Sequence, residues 1–254
     1  MPKTIVALVP ARSGSQRIRG KNVRLLHGHP LIAYSIAVAI DAGIFARIVV
    51  STDSQEYADI ARQYGAEAPF LRPPEIATPT SPDVEWIRHA LTQVSGHTAF
   101  AILRPTSPFR SAATLHRAWK RLQSLPGADS LRAVERVRQH PGKMWVVADD
   151  GDSMEPLLEQ SNMALPWHSQ QYAALPDVYV QNSSLEMVWT DAVTRTGRHA
   201  GDVVAPFIAQ GMEGFSLDYE NEWRVAEEAI SDGRAALPPI SSSPPAAAAS
   251  SRTS

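Results

Sequence analysis

The chain has 254 residues, and its 24 lysines and arginines nearly balance its 26 aspartates and glutamates, which argues against a nucleic-acid-binding protein with a broad basic surface. The absence of cysteine excludes disulfides, zinc–thiolate sites, iron–sulfur clusters and thiol nucleophiles. No segment is typical of a signal peptide, and the longest apolar run, residues 31–40, is about half of a membrane span, so we expect a soluble, cytoplasmic protein without a membrane partner.

The amino-terminal part of the chain alternates between strand-like and helix-like segments. Residues 4–10 (TIVALVP) form a β-branched apolar run of the kind found in central strands, and residues 47–52 form a second one. Residues 30–43 are apolar almost all round, which predicts a buried helix that begins at a proline and ends at a glycine. Apolar residues recur at helical spacing over residues 57–64, and Gly65 is placed to end this second helix.

The alternation continues through two more helices and another strand. Residues 81–83 (Ser-Pro-Asp) predict a helix start, with a capping hydroxyl, a proline and an acid in the first turn. Residues 99–103 predict a third strand, and Ser111 is placed to cap the next helix. This rhythm predicts an α/β fold with a parallel sheet and right-handed crossovers. The buried helix faces are formed by Val84, Ile87, Leu91 and Val94, and by Leu115, Ala118, Trp119 and Leu122.

The rhythm changes from about residue 132 to residue 190, where strand-like segments meet at turns and predict an inserted, more antiparallel portion. Strand character returns at residues 203–208, and a last helix is predicted over residues 220–230. Residues 237–254 (LPPISSSPPAAAASSRTS) have no apolar period, which predicts a disordered tail. We therefore expect one domain over residues 1–236 that contains the insertion, followed by the tail.

Ligands of an open α/β sheet bind beyond the carboxyl ends of its strands, so the loops after the strands are the candidate sites. The loop after the first strand carries the cations Arg12, Arg17, Arg19 and Lys21, with Gly14 for close backbone approach. Such a loop suits a di- or triphosphate. It does not match the P-loop pattern, because five residues separate its two glycines, nor the dinucleotide fingerprint, because it lacks the paired glycines.

Three further loops carry polar residues at equivalent places. After the second strand, Asp53 can contact a ribose or a metal, or it can cap the next helix together with Ser54. After the third strand, residues 104–110 (RPTSPFR) combine two prolines, two hydroxyls and two guanidinium groups, which is typical of an anion or nucleobase site. Late in the chain, Asp218 is either a carboxylate at a helix start or a magnesium ligand.

Taken in order, these loops resemble those of bacterial CMP-sugar synthetases of the acylneuraminate cytidylyltransferase family. The resemblance covers residues 3–231 and rests on the segments VPARSGSQRIRGKN, VVSTDS, LRPPEIATPTSP, LRPTSPFR and LDYENEWRVAEE. It implies a nucleotidyltransferase that transfers CMP from CTP to the anomeric hydroxyl of an acylneuraminate-like 2-keto-3-deoxy sugar acid and releases pyrophosphate. It also implies a Rossmann-like, mostly parallel sheet with helices on both faces, a requirement for Mg2+, and a homodimer formed through the inserted portion.

The resemblance also implies roles for individual residues. The first loop would hold the triphosphate, with Asn22 reading the cytosine, and Arg72 falls in the segment that closes over the nucleotide. Asp218 matches the second carboxylate of a D-x-D magnesium motif, so we expect it to bind the metal and to be catalytic together with Arg12 and Lys21. The expected substrate-binding residues are Ser15, Gln16, Arg17, Asn22, Arg72, Arg104, Thr106, Ser107, Arg110 and Asn182.

The chain departs from the family pattern in its nucleotide loops. Gln16 stands where the family has lysine, although the neighbouring Arg17 can substitute for it. Arg104 replaces the glutamine before PTSP, which changes a contact beside the base or the sugar. Ser216 replaces the first D-x-D carboxylate, so we expect the metal to be held by Asp218 with phosphates and water.

The largest departure is in the sugar pocket. Residues 172–184 replace an arginine-containing stretch that ends in N-G-A-I-Y; they retain Asn182 and lack the expected carboxylate-binding arginines. The acceptor can therefore differ from sialic acid. Two alternatives stay open: a nucleotidyltransferase for another sugar acid, either KDO-type or a modified nonulosonate, and a degenerate homologue that binds nucleotide without turnover.

Overall fold

The computed structural model describes residues 4–158 and 165–240. The strands in these ranges are β1 (Ile5–Pro10), β2 (Leu25–Leu26), β3 (His29–Pro30), β4 (Phe45–Ser51), β5 (Ala99–Ile102), β6 (Ser130–Arg136), β7 (Trp145–Val147), β8 (Met154–Pro156), β9 (Tyr179–Trp189) and β10 (Val204–Ile208). The α-helices are α1 (Leu31–Ala42), α2 (Gln55–Gln63), α3 (Asp83–Gln93), α4 (Ala112–Gln123), α5 (Thr190–Thr196) and α6 (Glu220–Ser231). None of the helices in the described ranges combines the length and apolar character that a membrane crossing requires.

Six strands form one sheet in the order β10-β6-β9-β5-β1-β4. β1 is parallel to β4 and to β5, whereas β9 is antiparallel to β5. The α/β class predicted from the strand–helix rhythm is therefore confirmed. Because β1, β4 and β5 run in one direction, their carboxyl ends meet at one edge of the sheet, which β9 approaches from the opposite direction.

Helices cover both faces of this sheet, as predicted. In β1, Ile5, Ala7 and Val9 belong to a core cluster that also contains residues of α1, α2 and α4. Val6 and Leu8 point the other way, into a cluster that contains residues of α3 and α5. Burial on both faces explains why this strand is a continuous apolar run rather than an alternation of apolar and polar residues.

Side-chain caps define two of the helix starts. Ser111 caps α4 by accepting a hydrogen bond from a backbone N–H of the first turn at 3.2 Å, as predicted. Ser54 caps α2 in the same way. The predicted cap at Ser81 is wrong, because α3 begins directly after Pro82 and the Ser81 hydroxyl instead bonds to the Thr78 hydroxyl at 2.7 Å.

Val134–Gln181 form a second compact unit, and the rest of the described chain forms the first. Within the second unit, β7 and β8 pair antiparallel. Lys143 Nζ donates to the carbonyl of His168 at 2.9 Å, which ties two turns of the unit together. Several apolar side chains of the unit are exposed, namely Trp145, Val146, Val147, Met154 and Tyr172.

The predicted tail starts at residue 237. Leu237 and Ile240 are half-buried and pack against a core cluster that contains Leu217 and Trp223. The remaining part of the predicted tail, residues 241–254, lies outside the described residues.

Candidate active site

The candidate active site lies at the edge of the sheet where β1, β4 and β5 end. Residues 11–24 follow β1, residues 52–54 follow β4, and residues 103–111 follow β5. β9 reaches the same edge, because its Glu186 pairs with Ile102, the last residue of β5. Ligands of open α/β sheets bind at such an edge.

The first loop, residues 11–22, is anchored at its base. Ser13 donates to the Asp53 carboxylate from its backbone N–H at 2.7 Å and from its hydroxyl at 2.8 Å. Asn22 is buried and donates from Nδ2 to the carbonyl of Arg12 at 3.0 Å. Asp53 therefore holds the loop against the end of β4, a role that the sequence did not reveal.

The tip of the first loop is exposed. Gln16, Arg17 and Arg19 are exposed there, and Ser15 is half-buried. The Arg17 guanidinium lies 4.8 Å from the centre of the Tyr219 ring. The tip thus presents amide and guanidinium groups to the solvent beyond β1.

Lys21 and Asp218 are 197 residues apart and form an ion pair, with 2.8 Å between Nζ and Oδ1. The Ser216 hydroxyl donates to the other carboxylate oxygen at 2.7 Å. Burial raises the pKa of Asp218, but the hydrogen bonds from Lys21 and Ser216 and the charge of Arg17 outweigh burial and hold this pKa below its ordinary value. The carboxylate is therefore ionised at neutral pH, and the fold brings two of the three expected catalytic residues into direct contact.

Two further arginines are held by backbone carbonyls. Arg12 donates from Nη1 to the carbonyl of Thr78 at 2.7 Å. Arg72 is buried and donates to the hydroxyl and the carbonyl of Ser51, the last residue of β4, at 3.1 and 2.9 Å. Its guanidinium lies 5.1 Å from the centre of the Trp86 ring, and burial is the main reason why its pKa is lowered to about 10. Arg72 therefore keeps its charge at neutral pH and fixes the end of β4.

Arg110 is fully buried within the turn after β5. It donates to the Ser184 carbonyl, to the Ser35 hydroxyl at 2.6 Å and to the Arg104 carbonyl at 2.8 Å. Burial lowers its pKa to about 9. Ser107, in the same turn, is also buried. The structure thus places both side chains inside the turn, where the three hydrogen bonds of Arg110 hold its shape, whereas the Ser107 hydroxyl has no hydrogen-bond partner among the described residues.

Thr106 lies in the same turn, and Asn182 lies on β9. The Thr106 carbonyl accepts from the backbone N–H of Leu217 at 2.8 Å. Asn182 Oδ1 accepts from the backbone N–H and the hydroxyl of Ser184 at 3.1 and 2.9 Å, and Ser183 between them has a φ of 58°, which few non-glycine residues adopt. Asn182 Nδ2 is buried and has no hydrogen-bond partner among the described residues, so this donor of the amide is unused.

A partly buried ion-pair cluster around the buried Glu186, at the same edge, was not foreseen from the sequence. We name it the Glu186 cluster, and it comprises Asp83, Arg104, Arg132, Glu186 and His199. Arg104 Nη2 lies 2.6 Å from Asp83 Oδ2 and 3.3 Å from Glu186 Oε1. Glu186 Oε2 lies 3.0 Å from Arg132 Nη2 and 3.3 Å from His199 Nε2. The only sequence signal was a single carboxylate inside the apolar run LEMVW.

A family model described as cytidylyltransferase matches residues 6–182, which is more than half of the chain. The N-acylneuraminate cytidylyltransferase of Escherichia coli O18:K1:H7 is 41% identical over 150 residues, which cover 59% of this chain and 35% of that protein. The CMP-N,N'-diacetyllegionaminic acid synthase of Legionella pneumophila is 30% identical over 238 residues, which cover 92% of this chain and 99% of that protein. The chain thus spans about a third of the Escherichia coli relative and nearly all of the Legionella relative.

The fold is also similar to a solved structure. CMP:2-keto-3-deoxy-manno-octonic acid synthetase complexed with CTP aligns with a TM-score of 0.65 over 91% of this chain and 100% of that chain. At 12% identity, this similarity concerns the fold alone.

Proposed function

The chain belongs to the cytidylyltransferase family, and we propose that it transfers CMP from CTP to the anomeric hydroxyl of an acylneuraminate-like 2-keto-3-deoxy sugar acid and releases pyrophosphate. The observation that carries the proposal is the Lys21–Asp218 ion pair, which lies at the end of a loop whose tip exposes Arg17 and Arg19. Relatives named for sialic, legionaminic and pseudaminic acids support a sugar acid as the acceptor.

The chemistry requires positioning and positive charge. The anomeric oxygen forms a bond to the α-phosphorus, the bond from this phosphorus to the bridging oxygen breaks, pyrophosphate leaves with the bonding electrons, and the hydroxyl proton is released to water. Phosphoryl-type transfers of this kind depend chiefly on orientation and electrostatic stabilisation. Arg12 and Lys21 would supply positive charge to the triphosphate, and the exposed loop tip would orient it.

We propose Mg2+ as the cofactor, bound by Asp218. The ionised carboxylate and the Ser216 hydroxyl are hard oxygen donors of the type that Mg2+ prefers, so these residues fit the ion. Among the described residues, no group of three or more His, Cys, Asp or Glu side chains is placed to hold a metal. Asp218 would therefore share the ion with the triphosphate and water. When bound, Mg2+ would neutralise negative charge on the phosphates.

A second candidate acceptor is a KDO-type sugar or a modified nonulosonate. Residues 172–184 lack the arginines that a sialic-acid pocket is expected to have, and Arg104 is tied to Asp83 and Glu186. The Legionella relative, matched over nearly its whole length, is named for a diacetylated legionaminic acid. A homologue that binds nucleotide without turnover is the third candidate, and the replacement of a metal-binding carboxylate by Ser216 favours it.

We further propose that the chain acts in the cytoplasm as a homodimer formed through Val134–Gln181. Val146, Val147 and Met154 are exposed on the β7–β8 ladder of this unit. Exposed apolar side chains are typical of protein interaction sites, and a second copy of the chain would cover those of this unit. A cytoplasmic location agrees with CTP as the substrate.

Pyrophosphate release separates these candidates. The protein would be incubated with Mg2+, CTP and, in turn, N-acetylneuraminate, a diacetylated legionaminate and KDO, with UTP and ATP as nucleotide controls. We expect release with CTP and N-acetylneuraminate, and none with UTP or ATP. Turnover with the diacetylated legionaminate or KDO but not with N-acetylneuraminate would favour the second candidate, and CTP binding without any turnover would favour the third. A protein that does not bind CTP would refute all three.

A further inference from the structure

Glu186 connects three neighbouring strands of the sheet. It lies on β9, between β6, which carries Arg132, and β5, which Arg104 follows two residues later. Its two carboxylate oxygens face these two arginines separately, with Oε1 toward Arg104 and Oε2 toward Arg132. The Glu186 side chain is 1% exposed, so it cannot itself contact a substrate. Any effect of Glu186 on the reaction must pass through its partners.

Arg104 is the partner that lies in the loop after β5, at the candidate site. Its Nη2 is shared by the carboxylates of Asp83 and Glu186, and its backbone carbonyl accepts from Arg110 and from the Ser35 hydroxyl. Both the backbone and one edge of the guanidinium are therefore fixed. Nη1 has no acceptor among the described residues, and 22% of the side chain is exposed. The open edge of the guanidinium is thus held in one orientation and is available to a ligand.

Within the Glu186 cluster, the two carboxylates balance the two guanidinium groups in charge. Asp83 and Glu186 contribute two negative charges, and Arg104 and Arg132 contribute two positive charges. Burial raises the pKa of Glu186, but His199 and the two arginines outweigh burial and hold it below its ordinary value. Because the charge of Arg104 is already balanced by the carboxylates of Asp83 and Glu186, its open edge suits an uncharged oxygen, such as a hydroxyl or an amide carbonyl.

The cluster lies on the acceptor side of the proposed site. The cationic first loop follows β1, on one side of β5, whereas Glu186 and Arg132 lie on β9 and β6, on the other side. With CTP on the β1 side, the substrate that reaches Arg104 from the β9 side is the sugar acid. We propose that Glu186 is a positioning residue for the acceptor: it orients Arg104, whose Nη1 donates to an uncharged oxygen of the sugar acid. This inference rests on the proposed function.

The test is a Glu186→Gln variant, with the KM values for the acceptor and for CTP measured separately by pyrophosphate release. We expect the KM for the acceptor to rise by about tenfold or more, which is typical when one partner of a charge-assisted hydrogen bond is lost. The KM for CTP should stay within about twofold, because the Lys21–Asp218 pair and the cations of the first loop lie on the other side of β5 from Glu186. Glu67→Gln is the control. Glu67 accepts two hydrogen bonds from Arg47, which lies on β4, and its substitution should change neither the KM for the acceptor nor the KM for CTP.

A double-mutant cycle distinguishes positioning from a general loss of structure. Arg104→Gln should reproduce the rise in the KM for the acceptor, and adding Glu186→Gln to it should have little further effect. The proposal would be overturned if Glu186→Gln raised the KM for the acceptor equally in the wild type and in Arg104→Gln. It would also be overturned if the KM for CTP rose in parallel. If Glu186→Gln does not fold, Glu186→Asp keeps the charge but withdraws it from Arg104, and the same split between the KM values is expected. A wild-type protein without turnover refutes the proposed function, whereas wild-type turnover with unchanged KM values in the variants refutes only the role of Glu186.

Discussion

Asp218→Asn separates the catalytic role of the Lys21–Asp218 pair from its contribution to folding. The substitution keeps the shape of the side chain and removes its charge. Losing one preorganised charged group at a reacting centre costs about 100- to 1000-fold in rate, or about 2.7–4 kcal/mol in the activation free energy. The Asp218 side chain is 35% exposed, so water screens the ion pair, and its loss should lower the free energy of unfolding by only about 1 kcal/mol.

The two quantities are measured by pyrophosphate release under saturating CTP and by thermal unfolding. We expect turnover to fall by about 100-fold or more, while the Tm falls by about 2–4 °C, the shift that 1 kcal/mol produces in a domain of this size. Glu220→Gln is the control. Glu220 is the first residue of α6, two residues after Asp218, and it forms an exposed ion pair with Arg24 at 2.7 Å. Near-wild-type turnover in a folded Asp218→Asn protein would refute the assignment of Asp218 to the metal and the triphosphate.

Three further predictions concern stability, assembly and pH. Arg110→Met leaves two carbonyls and a hydroxyl without their buried donor, so the free energy of unfolding in urea should fall by about 3 kcal/mol. An unchanged midpoint of the urea unfolding curve would show that the turn does not depend on Arg110. Val146→Asp should convert a dimer to a monomer in analytical ultracentrifugation. Val203→Asp is the control and should not, because Val203 lies in the first unit and is 54% exposed, against 56% for Val146. A monomeric wild-type protein would contradict the dimer. The folded-state pKa values of Asp218 and Glu186 lie below those of the unfolded chain, so their stabilisation is present at neutral pH and is lost as the pH falls below about 4. Glu186→Gln should flatten the acid limb of the stability curve, and an identical acid limb in the variant would contradict this.

Most of the fold could be predicted from local sequence patterns. Hydrophobic periodicity and the strand–helix rhythm depend on neighbouring residues, which is why the α/β class and the start of α4 at Ser111 were predictable. The predicted cap at Ser81 is wrong because Pro82 occupies the capping position immediately before α3. The Ser81 hydroxyl bonds instead to Thr78 in the preceding turn. Propensity rules assign a hydroxyl to a helix start, but they do not decide between competing turns.

The partners within the site could not be read from the sequence, because they depend on strand order. Lys21 and Asp218 were both identified as candidates, yet nothing local indicated that they form an ion pair across 197 residues. Glu186 was missed because Arg132 lies on β6 and Arg104 follows β5, and these two strands flank β9 only in the folded sheet. Arg110 was expected at a substrate, and its burial follows from contact with Ser184, 74 residues away.

The long span between Lys21 and Asp218 also sets an order of events during synthesis. Chains emerge from the ribosome amino end first, and contacts between distant residues close late because their loops are costly to order. When residue 182, the last position matched by the family model, has been made, β9 is unfinished and Asp218 has not yet been added. A nascent chain can therefore hold most of the family signature and the cationic loop while it still lacks the carboxylate that pairs with Lys21. With the proposed role of Asp218, the active site is completed only in the last quarter of translation.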